Sequence, residues 1–261
     1  MKYSIITINL NNSAGLKKTI ESVVNQTFQD FEYIIIDGGS TDGSVDIIKE
    51  YSSRIDYWVS EPDRGIYNAM NKGIIQAHGE YLNFMNSGDY FSKNTILEEI
   101  HADLSFDFVF GKARTIPNNT ILSPSKNITL YSLCTTGFNH QALFVRRDIF
   151  CKHMFDEKYK MLSDWKFVVE SLIIDNCSYK VVDIVVADYD LGGISTTYMD
   201  NAVNEQKSIL KELLPERICS DYIFFREIKS PILYKLPFLS KRYRFERLID
   251  KVIGLYIKVC K

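Results

Sequence analysis

Three successive rounds of one pattern open the chain and constrain its fold: a β-branched run, a polar loop, then apolar residues at helical spacing. Ile5 to Ile8 stop at Asn9-Leu-Asn-Asn-Ser, and Leu16, Ile20, Val23 and Val24 recur with the period of an amphipathic helix whose expected N-cap is Ser13. Phe31 to Ile36 lead through Asp37-Gly-Gly-Ser-Thr-Asp-Gly into a second helix carrying Val45, Ile47, Ile48 and Tyr51. Tyr57-Trp-Val, the loop Glu61-Pro-Asp-Arg-Gly and the stripe Ile66, Ala69, Met70, Gly73, Ile74 and Ala77 make the third round. A helix between two strands returns the chain to the same edge of the sheet and makes the strands parallel. The pattern therefore predicts an α/β fold with a Rossmann-like, mostly parallel central sheet flanked by helices.

A fourth strand follows, Tyr81-Leu-Asn-Phe-Met, with the apolar content of a strand buried on both faces, and it ends on the turn Asn86-Ser-Gly and the carboxylate of Asp89. Ligands of open α/β sheets bind outside the carboxyl ends of the strands, so the place of Asp89 marks it as a candidate ligand-binding acid. The first strand–helix loop has no G-x-G-x-x-G and the chain has no P-loop lysine motif, which disfavours a dinucleotide-dependent dehydrogenase. The Asp37 loop lacks the acid spacing and closing glutamate of an EF-hand. An acid at that strand end can accept a hydrogen bond from a nucleobase or ribose; it can equally cap the next helix.

Beyond Asp89 the expected elements are a strand over Phe106 to Phe110, a hairpin from Ala113 to Leu122 turning at Pro117, a strand over Gln141 to Val145, and a helix carrying Trp165, Val168, Val169 and Leu172. A long strand from Tyr179 to Ala187 and a helix from Met199, broken at Pro215, complete the main body. The expected domains are residues 1–214 and a helical, basic, amphipathic C-terminal appendage, 215–261. A basic amphipathic segment can lie on an anionic membrane or pack on its own domain with the charges in water. The formal charge of −2 gives no argument for nucleic acid, and five scattered cysteines without CxxC spacing suggest neither a disulfide framework nor a zinc site. With no signal-peptide core and no run long enough to span a bilayer, a cytoplasmic protein is expected, with its tail at the inner face of the membrane.

Four blocks in order carry a resemblance: Ser4-Ile-Ile-Thr-Ile-Asn-Leu-Asn, Ile35-Ile-Asp-Gly-Gly-Ser-Thr-Asp-Gly-Ser, Gly65-Ile-Tyr-Asn-Ala-Met-Asn-Lys-Gly-Ile and Gly79-Glu-Tyr-Leu-Asn-Phe-Met-Asn-Ser-Gly-Asp. Together they resemble the motifs of family 2 glycosyltransferases, densely over the first ninety residues and thinly to about residue 200, in a subgroup like those of bacterial cell-surface polysaccharide synthesis. The resemblance implies a GT-A fold and an inverting enzyme of the hexosyl- or N-acetylhexosaminyltransferase class. It would move a sugar from a nucleotide-diphosphate donor to a hydroxyl of a glycan or lipid-linked acceptor. It implies donor contacts at Asn9, Asp37, Arg64 and Asn71, acceptor-side positions at His140, Gln141 and Gly193, a divalent metal, Mn or Mg, held by Asp89, and a catalytic base at Asp164.

Several positions have a plainer reading, and Asp89 can merely cap the following turn. Asp164 in the first turn of a helix stabilises it through the dipole with no catalysis, Arg64 can be a solvated loop charge, His140 a structural strand-start residue, Trp165 core rather than sugar platform, and the glycines at 192 and 193 a turn. The resemblance also breaks where metal binding is concerned, because Asn86 and Gly88 stand where the family has further acids. A non-catalytic nucleotide-sugar-binding module with the same fold is therefore the alternative.

Overall fold

The computed structural model describes residues 1–190 and 199–227. In chain order the elements are β1 (Tyr3–Asn9), α1 (Ser13–Val24), β2 (Phe31–Asp37), α2 (Ser44–Glu50), β3 (Tyr57–Ser60), α3 (Ile66–Gln76), β4 (Tyr81–Phe84), β5 (Tyr90–Phe91), α4 (Ile96–His101), β6 (Phe108–Ile116), β7 (Ile121–Leu122), α5 (Leu130–Thr135), β8 (Leu143–Arg146), α6 (Arg147–Phe150), α7 (Ser163–Val169), β9 (Tyr179–Asp190), α8 (Met199–Leu213) and α9 (Glu216–Glu227). The strands form one nine-stranded sheet in the order β3-β2-β1-β4-β8-β6-β9-β5, with β7 paired to β6. The three βα rounds give the parallel half, β3-β2-β1-β4. Past β4 the sheet is mixed: β8 runs antiparallel to β4 and to β6, β9 is parallel to β6, and β5 is antiparallel to β9.

Every residue of β1 and β4 is buried, because helices cover both faces of the parallel half. On one face Leu16, Ile20 and Val23 of α1 share a core with Tyr3, Ile5, Tyr33 and Ile35. On the other, α3 sits close to the sheet at Gly73, where a Cβ would lie 2.5 Å from Ile6 Cγ2. Beside α3 an aromatic layer forms: Phe150 and Phe167 stack at 4.5 Å, and Phe155 meets Phe84 and Phe167 edge-on, each at 5.5 Å.

Four local details bear on the expected elements: two depart from them, and two, α9 and Trp165, fall within the readings given above. The N-cap of α1 is Asn12, whose Oδ1 accepts from Gly15 N–H at 3.2 Å, while the backbone N–H of Ser13 donates to Asp42 Oδ2 at 2.7 Å; two good capping residues in a row leave the choice to tertiary partners. The strand expected from Gln141 begins at Leu143, and His140–Ala142 form a single 3₁₀ turn. A further helix, α9, follows Pro215. Trp165 is core: it is buried and donates Nε1–H to the Leu133 carbonyl at 2.9 Å.

The chain divides into two compact units, Met1–Ile209 and Leu210–Lys261. The first holds the sheet and all the site residues described below; of the second, the described part is the end of α8 and α9. Gly193 and the greater part of the basic appendage lie outside the described residues. Among the described residues no helix is long and apolar enough to cross a membrane.

Candidate functional site

The parallel register sets Asn9 opposite Asp37 at the carboxyl ends of β1 and β2. Asn9 Nδ2 donates to Asp37 Oδ1 at 2.7 Å. Ser40 donates its backbone N–H at 2.9 Å and its hydroxyl at 2.6 Å, and Ser60 its hydroxyl at 2.5 Å. Asp37 has no exposed surface. Burial by itself would raise its carboxyl pKa, but the hydrogen bonds from Ser40, Ser60 and Asn9 together outweigh it and hold the group below the usual carboxylate range. Asn9 Oδ1 is buried with no hydrogen-bond partner, an acceptor left over at the strand tip. The loops beyond are laced together, Asn11 Oδ1 accepting from Thr41 N–H and Ser40 Oγ from Asn11 N–H, both at 2.8 Å.

After β4, Met85 and Ser87 still donate their N–H groups to β1, at Ile6 and Ile8, so the chain stays on the sheet until the turn Asn86–Asp89 closes through Asp89 N–H and the Asn86 carbonyl at 3.0 Å. Gly88 takes φ of +106° in that turn, a conformation side chains disfavour. Thr19 of α1 fixes it: its Oγ1 donates to the Asp89 carbonyl at 2.6 Å and accepts from Gly88 N–H at 3.0 Å. The Asp89 side chain is 7% exposed, and its Oδ2 accepts from Gln141 Nε2 at 2.8 Å. Among the described residues no three His, Cys, Asp or Glu side chains gather to hold a metal. The same turn does carry a second hard donor, Asn86 Oδ1, buried and without a partner. One carboxylate and one amide oxygen suit magnesium or manganese when a bound diphosphate contributes further oxygens.

Asp164 stands in the first turn of α7, its side chain 20% exposed. Its Oδ1 accepts from the Tyr67 hydroxyl at 2.9 Å and from Trp165 N–H at 2.8 Å, and its Oδ2 lies 3.3 Å from His140 Nδ1. His140 Nε2 lies 2.9 Å from Asn86 Nδ2. An amide nitrogen can only donate, so in this arrangement Nε2 accepts and the ring proton sits on Nδ1. Burial first, and then the charge of Asp164, push the Tyr67 phenol well above its ordinary pKa, so it remains a donor. The 3₁₀ turn thus meets both carboxylates with neighbouring side chains: Gln141 donates to Asp89, and His140 lies 3.3 Å from Asp164 Oδ2. Beneath it lies a small apolar cavity lined by Phe84, Phe138, His140, Phe155, Asp164 and Phe167.

The remaining expected donor contacts lie on α3 and the loop before it. Arg64 is 78% exposed at its side chain and pairs with Glu157 Oε2 at 2.8 Å. Asn71 is buried, with Nδ2 donating to the Phe155 carbonyl at 2.9 Å and more distantly to Glu157 Oε1 at 3.4 Å, and Oδ1 accepting from Phe155 N–H at 3.0 Å. Asn68 Nδ2 donates to Glu157 Oε1 at 3.0 Å. With Asn68 first and Arg64 second, these donors hold the Glu157 carboxyl below the usual range. The structure brings Asn9 together with Asp37 at the ends of β1 and β2, Gln141 together with Asp89, and His140 between Asn86 and Asp164, while Asn71 meets Phe155 and Glu157. Tyr67 and Asn86 escaped the sequence reading. A usable signal was present: Tyr67 and Asn71, one helical turn apart, flank the apolar stripe, and Asn86 is a polar side chain at the tip of a buried strand.

The model of the family described as "Glycosyl transferase family 2" matches residues 4–153. A PGL/p-HBAD biosynthesis glycosyltransferase of Mycobacterium bovis is 30% identical over 220 residues, 81% of this chain and 83% of the relative. The poly(ribitol-phosphate) beta-N-acetylglucosaminyltransferase TarS of Staphylococcus aureus is 26% identical over 194 residues, 67% of this chain and 33% of the relative. The solved structure of TarS residues 1–349 in complex with UDP superposes with a TM-score of 0.67 at 19% identity, covering 84% of this chain and 68% of that one. Of a further TarS structure the chain spans 41%. The mannosyltransferase PcManGT of Pyrobaculum calidifontis, in complex with GDP-Man and Mn2+, gives a TM-score of 0.62 at 12% identity, covering 81% of this chain and 63% of that one. These structures share the GT-A fold with the chain.

Proposed function

The chain belongs to glycosyl transferase family 2 and is a glycosyltransferase, and on that premise we propose that it transfers a sugar from a nucleoside-diphosphate donor, with inversion, to a hydroxyl of a glycan or lipid-linked acceptor. The observation that carries the reading is the pair of adjacent side chains in one turn, His140 and Gln141, that bring the carboxylates of Asp164 and Asp89 to the same place, Gln141 by a hydrogen bond to Asp89 and His140 at 3.3 Å from Asp164. Inversion needs a base for the incoming hydroxyl and a counter-charge for the departing diphosphate, and the two acids answer to these needs.

In this reading the acceptor oxygen forms its bond to the anomeric carbon as the bond from that carbon to the diphosphate oxygen breaks. The acceptor proton passes to Asp164 Oδ2, and the nucleoside diphosphate leaves with the bonding pair. Asp164 Oδ1 is occupied by Tyr67 and Trp165, which leaves Oδ2 as the oxygen with capacity to accept. His140, held by the Asn86 amide at 2.9 Å, lies 3.3 Å from Oδ2 and fixes its position. Asp89, with Asn86 Oδ1 beside it in the turn, would hold a magnesium or manganese ion, which supplies positive charge against the negative charge growing on the diphosphate. Asn9 and Asp37 receive the nucleobase or ribose, and Arg64 lies at the phosphate side. The relatives named for PGL/p-HBAD and poly(ribitol-phosphate) chemistry support an acceptor in cell-surface glycan assembly. The basic segment 215–261 is proposed to rest on an anionic membrane, where such acceptors are held.

The test is calorimetric titration of the full chain with UDP, GDP, CDP and dTDP, with and without manganese, repeated on Asp89→Ala. Metal-dependent binding of one diphosphate that is lost in the variant is the expected result. Binding of none of them under either condition would move the chain to a non-catalytic module with this fold.

A further inference from the structure

We propose that Glu205 is a positioning residue for Asp164, an inference that rests on the reading of Asp164 as the base. Glu205 lies on α8, distant in sequence from α7. Its Oε1 accepts from Lys160 N–H at 2.8 Å, and its Oε2 accepts from Met161 N–H and from Leu162 N–H, each at 3.0 Å. Three successive backbone donors of the segment entering α7 therefore converge on one carboxylate. The segment has no cap of its own: Leu162 stands at the N-cap position of α7 and makes no side-chain capping bond. Glu205 satisfies the three N–H groups just before the helix, which a local capping side chain, accepting from the second or third helical N–H, would not reach.

The consequence for Asp164 runs through the same peptides. The single proton of the Tyr67 hydroxyl is shared between the Met161 carbonyl at 2.7 Å and Asp164 Oδ1 at 2.9 Å. The peptide gripped by Glu205 at its N–H thus sets, through its carbonyl side, the phenol that orients the base, and Asp164 follows two residues after the last gripped N–H. Without Glu205 the three N–H groups need water, the entry to α7 loosens, and Asp164 Oδ2 leaves its line to the acceptor. A displacement of about 1 Å at a reacting group costs on the order of a hundredfold in rate.

The experiment is a double-mutant cycle on the full chain, with wild type, Glu205→Ala, Asp164→Asn and the double variant. The reading is kcat and KM for nucleoside diphosphate release from UDP-, GDP-, CDP- and dTDP-linked sugars with water as acceptor. Glu205→Ala is expected to lower kcat about ten- to a hundredfold with KM within about twofold, and to lower it no further in the Asp164→Asn background. An equal fold-loss in both backgrounds overturns the proposal, because it marks general damage and not an action through Asp164. If Asp164→Asn alone leaves kcat unchanged, the reading of the base is the part that fails. Amide hydrogen exchange separates the two: faster exchange at residues 160–162 in Glu205→Ala supports the grip independently of turnover, and unchanged exchange overturns it. Glu205→Gln, which keeps one accepting oxygen, is expected to fall between wild type and alanine in both readings.

Discussion

Replacing Asn71 by alanine separates two roles that its position allows. Asn71 spans from α3 to the loop that leads to Asp164 and satisfies both backbone groups of Phe155, donating at 2.9 Å and accepting at 3.0 Å, with the side chain 8% exposed. Truncation strands a buried N–H and a buried carbonyl on a segment packed against Phe84 and Phe167. Each orphaned group costs about 1–3 kcal/mol, so the pair costs about 2–5 kcal/mol once some water enters. For a domain of this size that lowers the Tm by about 4–20 °C. Thermal denaturation followed by circular dichroism measures the fall, and calorimetric titration with the four nucleoside diphosphates, well below the variant's Tm, measures what remains of the site. The clamp predicts a large drop in Tm with nucleotide affinity retained in the folded fraction. A Tm within about 2 °C of wild type together with lost nucleotide binding would refute it and make Asn71 a direct donor contact.

Two further outcomes follow from the geometry of the acids. Gln141→Ala removes the hydrogen bond to Asp89 Oδ2; support of this kind behind a metal ligand is worth about ten- to a hundredfold in affinity, so the manganese concentration needed for nucleotide binding should rise by that factor in a calorimetric titration. The folded-state pKa of Asp37 lies below its ordinary value of 3.8, so its ionised form stabilises the fold above that value and the contribution is lost as pH falls through the lower folded-state pKa. The difference in urea midpoint between wild type and Asp37→Asn should accordingly be flat from neutral pH down to about 5 and shrink below about 4; a difference that grows on acidification contradicts the hydrogen-bond assignment.

The parallel half of the sheet was legible because each βα round is local: Ile5 to Ile8, Phe31 to Ile36 and the stripe on α3 each declare their element within a dozen residues. The place of Asp89 was legible for the same reason, as the acid closing a buried strand. The far half depended on pairings between distant segments. β6 and β9 join Phe108 to Tyr179 in parallel, and nothing near either residue specifies the other. His140 was visible as a candidate, but its approach to Asp164 and the Asn86 amide behind it arise only when the 3₁₀ turn, the Asn86–Asp89 turn and α7 meet. Asn71 shows the opposite case: the motif made it conspicuous, and its amide turned out to be engaged by the Phe155 backbone. Glu205 had no sequence signal, since a glutamate on an amphipathic helix is ordinary until the N–H groups of Lys160, Met161 and Leu162 are seen to converge on it.

The most direct test of Asp164 as the base is its replacement by asparagine, with single-turnover release of nucleoside diphosphate and calorimetric donor affinity measured on the same preparation. Asparagine retains the oxygen that accepts from Tyr67 and Trp165, so the first turn of α7 should stay assembled. Loss of a general base predicts release slower by about 10² to 10⁴, about 2.7–5.4 kcal/mol of transition-state stabilisation, with donor affinity unchanged. Release at the wild-type rate with the same affinity would contradict the assignment and place the proton acceptor elsewhere.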